Sequence, residues 1–290
     1  MIYGLDVLIM KTTFTISKLT FREAARRKIL WAALLLGLLF LIVYGLGFYF
    51  VQQDIERSMG RGGISRMALT EIYSFLLMAG LYAVNFLTIA MAVLTSVDTL
   101  PGEISSGTMQ TLVTKPVRRW EILFGKWLGF ALMMSLYLLL MAGGTLGLVY
   151  WIVDYTPPNV WQGVLLLWMN ALLLLSVSFF GGSFLSTLAN GVLAFGLFGV
   201  AFIGGWIEQI GSFLRNETAV NIGIIASLII PSEALWKRAS YIMQSPLVSA
   251  MGFSPFTSGS VPSPMMVWYA MIYCVVILAL AIRIFNRRDL

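Results

Sequence analysis

The sequence has no histidine, one cysteine and few charged residues, and each shortage removes a class of function. Without imidazole, hydrolysis by a serine nucleophile with a histidine base is excluded. The single cysteine, Cys274, forbids a disulfide within the chain, and zinc sites built on Cys and His clusters are excluded with it. Cys274 sits inside an apolar run, as expected of a small core or lipid-facing residue rather than a reactive thiol. Only 11% of the 290 residues are charged, against about 25% in a soluble domain. No catalytic residue, metal ligand or nucleic-acid site is expected in such a chain.

What is present is apolar. Hydrophobic residues make up 59% of the sequence, and the mean hydropathy is +0.87. Water cannot solvate such a surface, so lipid must cover much of it. Six runs are long enough to cross about 30 Å of hydrocarbon at about 1.5 Å per residue. They lie near Ile29–Val51, Ile72–Val97, Trp127–Val153, Val160–Thr187, Gly191–Ile207 and Met265–Ile282, and none contains a charged residue. The expected fold is all-α, a polytopic membrane protein of six transmembrane helices.

The connections orient it. With the N-terminus cytoplasmic, thirteen of the 19 Lys and Arg fall on inner segments and six on outer ones. The 13 acidic residues split almost evenly, so the bias is in the basic residues, as the positive-inside rule requires. Both termini are therefore expected in the cytoplasm. Trp31 and Trp127 then mark inner helix ends, and Tyr150, Trp151, Trp161, Trp206, Trp268 and Tyr269 outer ones. No cleavable signal peptide is apparent, and Met10 is a more plausible start than Met1.

The chain reads as one domain over 1–290. Residues 11–28 form an interfacial helix, with Lys11, Lys18, Arg22 and Arg26 on one stripe for the membrane surface and Phe14, Phe21 and Ala25 beside it. Spans one and two occupy 29–97, a cytoplasmic loop 98–126, and spans three to five 127–207. An outer segment covers 208–264, and the last span with its tail 265–290. Within the outer segment, the apolar run Ala219–Ile230 would reach only about 18 Å, so it reads as re-entrant or interfacial. Ser232 is expected to cap a second helix over Glu233–Gln244, with loop over Ser254–Pro264.

Glycines at 143, 147, 181, 182, 191, 196, 199, 204 and 205 suit close helix packing in lipid. Asn85, Thr88, Asn170, Ser176 and Ser178 suit interhelical hydrogen bonds better than a polar path. The loop Ser96–Gly129 is the most informative stretch. Pro101 with Gly102, and Pro116, should bound a short helix whose Ile104, Thr108, Met109 and Leu112 form a small apolar knob. An ordinary anchored loop fits those residues equally well.

That stretch resembles the signature loop of type-2 ATP-binding-cassette (ABC) exporter permeases. The resemblance runs through Glu103, Gly107-Thr108, Leu112-Val113, Pro116-Val117, Arg119, Glu121-Ile122 and Gly125-Lys126 in matching order and spacing. The basic N-terminal helix, six spans and long outer segment before the last span are similar too, so it covers essentially the whole chain. The overall look is nearest to permeases of nitrous-oxide-reductase maturation. The resemblance implies that Glu103–Val113 is a coupling helix touching a separate ATPase, with Pro116, Arg118, Arg119 and Glu121 beside it. It also implies two such ATPase subunits binding ATP and magnesium, a second permease copy or paralogue, export, and a prokaryotic plasma membrane. The motor is elsewhere, because Trp120 stands where a phosphate loop needs its first Gly, and Trp127 follows Gly125-Lys126. An ion-coupled transporter would need ionisable residues within its spans, which these runs lack. A membrane scaffold or assembly factor stays open, since it needs no site. An intramembrane enzyme fits least, for want of His and a buried carboxylate.

Overall fold

A computed structural model of the chain describes residues 2–62, 66–109, 117–244 and 261–288, with side chains at 12–57 and from 68 onward within those ranges. All regular structure among the described residues is helical. In chain order the helices are α1 (Ile2–Arg26), α2 (Lys28–Gly62), α3 (Arg66–Ser96), α4 (Thr99–Ser105), α5 (Arg119–Val153), α6 (Val160–Gly182), α7 (Thr187–Phe213), α8 (Glu217–Ile229), α9 (Ser232–Met243) and α10 (Pro264–Arg287). Among the described residues, six stretches are long and apolar enough to cross a membrane: α2, α3 running on into α4, α5, α6, α7 and α10. The polytopic all-α architecture is thus the expected one.

Helix α6 is the centre, because it is apolar on every side. Its residues Asn170–Phe179 are all buried, and α3, α5, α7, α9 and α10 pack round it. Helices α2 and α10 lie at the periphery and expose Leu35, Leu39, Val43, Ile272 and Val275. Faces of this kind are stable only against lipid or another apolar surface. Two tyrosine hydroxyls fasten α2 to the bundle. Tyr44 donates to the Leu76 carbonyl at 3.2 Å, and Tyr137 to the Ala33 carbonyl at 3.2 Å.

Several boundaries differ from those expected. The fourth span stops at Gly182, not Thr187, and Ser183 turns its hydroxyl onto the Phe180 carbonyl at 2.6 Å. The fifth begins at Thr187 and runs past Ile207 to Phe213, so Glu208 lies inside a membrane-length helix. The third begins at Arg119 and carries Arg119, Glu121 and Lys126. Spans free of charge are therefore a property of the apolar runs and not of the helices. Hydropathy averages over a turn as apolar as Ser183-Phe184-Leu185, and it trims charged helix ends.

The outer segment contains α8 and α9, bent by 108° at Ile230–Pro231. Pro231, not Ser232, takes the N-cap position of α9, and Ser232 is its first helical residue. Helix α8 lies tightly along α7. A Cβ on Gly211 would meet Ala219 at 2.6 Å, and one on Gly204 would overlap Ala226. The expected loop residues 254–260 lie outside the described residues.

The N-terminal helix starts at Ile2, earlier than the expected residue 11. It is docked onto the protein as well as basic. Thr13, Thr20 and Ala24 are buried along one face, facing the start of α5. A Cβ on Gly129 would come within 2.7 Å of the Ser17 carbonyl, and one on Gly125 within 2.9 Å of Ile16. Small residues four apart on α5 let the two backbones approach. Lys18, Arg22 and Arg26 point away from this seam, exposed beside Phe14. The side chain of Lys11 lies outside the described residues.

Candidate functional site

The 98–118 connection starts where α3 ends at Ser96. Asp98 precedes α4, and Pro101 sits in its first turn, where a missing N–H costs nothing. Pro101 therefore lies inside the helix instead of bounding it. Gly107 ends the element, adopting φ +73 and donating its N–H to the Ile104 carbonyl at 3.2 Å. Glycine is the residue that enters this left-handed region without strain. The helix expected over 103–113 is interrupted at Ser106-Gly107: α4 covers Thr99–Ser105, helical backbone resumes at Thr108, and 110–113 lie outside the described residues.

The candidate coupling residues divide by environment. Thr108 and Arg118 are exposed, as are Ser105 and Ser106. Ile104 is half-buried against the core, and Met109 is fully buried, so Met109 belongs to the core and not to an outward knob. Glu103 is paired inside the chain, its Oε1 lying 2.5 Å from Lys126 Nζ on α5. Glu121 is buried in the first turn of α5, where a helix N-terminus favours negative charge. Arg119 turns inward, donating to the backbone carbonyls of Arg288 at 2.6 Å and Asn286 at 3.4 Å. Leu112 and Pro116 lie outside the described residues.

The base of the connection is fixed to the α6–α7 turn. Thr187 donates to Asp98 Oδ1 at 2.7 Å, and buried Asn190 donates to the carbonyls of Val97 and Ser178, both at 3.0 Å. Gly182 leaves room for Pro101 and Leu100. Most of the mid-bundle polar residues make hydrogen bonds between helices. Asn170 donates to Asn85 at 3.1 Å, Ser96 to Ser178 at 2.8 Å, and Trp127 to Ser176 at 3.0 Å. Cys274 lies 3.2 Å from Ser176, and Thr88 bonds back to its own helix. Of the glycines expected to pack, 143, 147, 196 and 199 would meet nothing with an added Cβ.

One cluster was not foreseen. Glu208 of α7 and Lys237 of α9 form an ion pair at 2.7 Å, with side chains 5% and 3% exposed. Glu233, also buried, stands one helical turn from Lys237, and its side chain lies where a Cβ on Gly205 would be. The ring of Trp236 packs on Tyr82 with centroids 4.9 Å apart, roofing the same region. The four-residue spacing of Glu233 and Lys237 was visible in the sequence. Their meeting with Glu208 depends on the bend at Pro231.

Among the described residues, no group of His, Cys, Asp and Glu is arranged to hold a metal ion. None of the curated proteins matches the sequence. The family model described as ABC-2 family transporter protein matches residues 14–290, from the docked N-terminal helix to the last residue. Six membrane-length helices and a short helix-bearing connection between the second and third are the architecture on which that match falls. The chain belongs to the ABC-2 family of transporter proteins, as a membrane-embedded permease component.

Proposed function

We propose that the chain is the permease subunit of an exporter, working as a pair with a second copy or paralogue and driven by two separate ATP-binding-cassette ATPases. The contact with the motor takes the exposed Ser106, Thr108 and Arg118, together with Leu112 and Pro116, which the family resemblance assigns to it. The observation that carries this reading is an anchored loop. Both of its ends are bonded into the bundle while Ser105, Ser106, Thr108 and Arg118 are left exposed. Exposed residues on a fixed base can pass displacement inward.

ATP and magnesium belong to the partner on this reading. Gly125 is pressed against α1, and Lys126 is held by Glu103, so neither is free to cradle a phosphate. An ion-coupled mechanism gains little from Glu208, which lies near the end of α7 and is already neutralised by Lys237. An apolar groove of about 630 Å³ between α2, α3 and α7, walled by Phe40, Val43, Tyr82, Phe86 and Phe202, suits lipidic or amphipathic cargo. On the positive-inside pattern both termini face the cytoplasm of a prokaryotic cell.

The test is co-purification with ATP-binding-cassette ATPases from the same genome. Leu112→Asp would put a charge into an apolar contact, where burial unpaired costs several kcal/mol, so capture should fall by at least about tenfold. Arg118→Ala should weaken capture mildly and reduce its salt dependence. Capture of no ATPase by the native chain would favour a scaffold or assembly factor instead.

A further inference from the structure

Two arginines link elements that are far apart in sequence. Arg119, at the start of α5, donates to the carbonyls of Asn286 in the last turn of α10 and of the C-cap residue Arg288. Arg288, just beyond α10, reaches back and donates to the Ser183 carbonyl at 2.8 Å, at the C-terminal end of α6. Each guanidinium thus satisfies carbonyls that a helix end leaves without partners, where positive charge is also favoured by the helix dipole. The two contacts run in series, from the loop to α10 and from α10 to the α6–α7 turn.

The other end of the connection reaches the same turn directly. Asp98 accepts from Thr187, Asn190 bridges Val97 and Ser178, and Pro101 packs on Gly182. The turn 183–186 is therefore held from both ends of the 98–118 connection, once directly and once through the arginines.

We propose that Arg119 is a positioning residue that acts inside the chain: with Arg288 it delivers displacement of the 98–118 connection to the α6–α7 turn and to α10. The proposal rests on the reading of that connection as the motor contact. It assigns Arg119 a different task from its neighbour Arg118. Arg118 offers charge to a partner, whereas Arg119 sets what the bundle does once the partner pushes. A two-ended grip also means that the turn cannot stay still while the connection moves.

Hydrogen–deuterium exchange on the full chain in lipid nanodiscs tests the linkage without any partner. Arg119→Ala should speed exchange of the 183–190 amides about fivefold, although Arg119 touches none of them. Arg119→Lys, which still donates to carbonyls, should recover much of the protection. The Arg119→Ala/Arg288→Ala double variant should be no worse at 183–190 than Arg288→Ala alone, because the contacts are in series. In a second arm, ATP with vanadate is added to the native chain bound to its co-purified ATPase. Trapping should change exchange at 183–190, and Arg119→Ala should abolish that change while capturing as much ATPase as the native chain. Unchanged exchange at 183–190 in Arg119→Ala, or a normal response to trapping, would overturn the linkage. Failure of the native chain to capture an ATPase would overturn the motor-contact reading instead, leaving the first arm to decide the linkage.

Discussion

Lys237 has two buried carboxylates for neighbours, and it is ion-paired with Glu208 at 2.7 Å. Removing one partner of such a pair is far worse than removing both, because the remaining charge has neither water nor counter-ion. Lys237→Met should therefore cost about 3–5 kcal/mol and lower the apparent melting temperature of the solubilised protein sharply. Glu208→Met/Glu233→Gln/Lys237→Met should recover most of that loss, since the site then holds no charge to solvate. Arg57→Ala, at an exposed position, is the control and should stay within about 0.5 kcal/mol. If Lys237→Met melts like that control, the pair contributes nothing and the burial has been misread. At this scale even local chemistry was only partly legible. Gly107 was named for its place in the resemblance, inside a helix expected over 103–113, whereas its positive φ closes α4. Contacts across long separations were not legible. Arg119 and Arg288 are 169 positions apart, and no spacing rule links a loop arginine to the end of the last helix.

Helices were legible in proportion to how apolar they are. The six runs were found because about 20 apolar residues in a row have few other uses. Helix α1 was recognised by its cationic stripe, but its docking to α5 was not. The docking face is made of Thr13, Ser17, Thr20 and Ala24, too polar to register as a packing surface, and its counterpart is two glycines. Gly129→Leu tests that seam. The added side chain would begin 2.7 Å from a backbone carbonyl, which cannot swing aside as a side chain can. Helix α1 should lift, and limited trypsin digestion should cut at Lys18 to Lys28 several times faster while the bundle stays intact. Gly143→Leu on the same helix should have no effect, because an added Cβ there meets nothing within 4 Å. Equal digestion of the two variants would mean that α1 is held by the membrane and not by α5.

For the whole molecule, orientation follows from how charge and aromatic rings are distributed over the connections. The basic bias predicts the 98–118 connection on the same side as both termini, and the exposed rings fit two interfaces. Trp31, 61% exposed, marks one end of α2, while Trp151, Trp161 and Trp268, 65–86% exposed, gather where α5 ends and α6 and α10 begin. The single cysteine makes this testable in living cells. Cys274→Ala removes a half-buried thiol whose contact is with Ser176, so the background should fold normally. Onto it go Ser106→Cys, at an exposed position just before Gly107, or Ser260→Cys in the segment before the last span. A membrane-impermeant maleimide should label the Ser260→Cys protein in intact cells and spare the Ser106→Cys protein until the cells are opened. Labelling of Ser106→Cys from outside would place the connection beyond the reach of any cytoplasmic ATPase. The motor contact and the task assigned to Arg119 would then both fall, whereas the helices, the buried ion pair and the docking of α1 would stand, because none of them depends on which way the bundle faces.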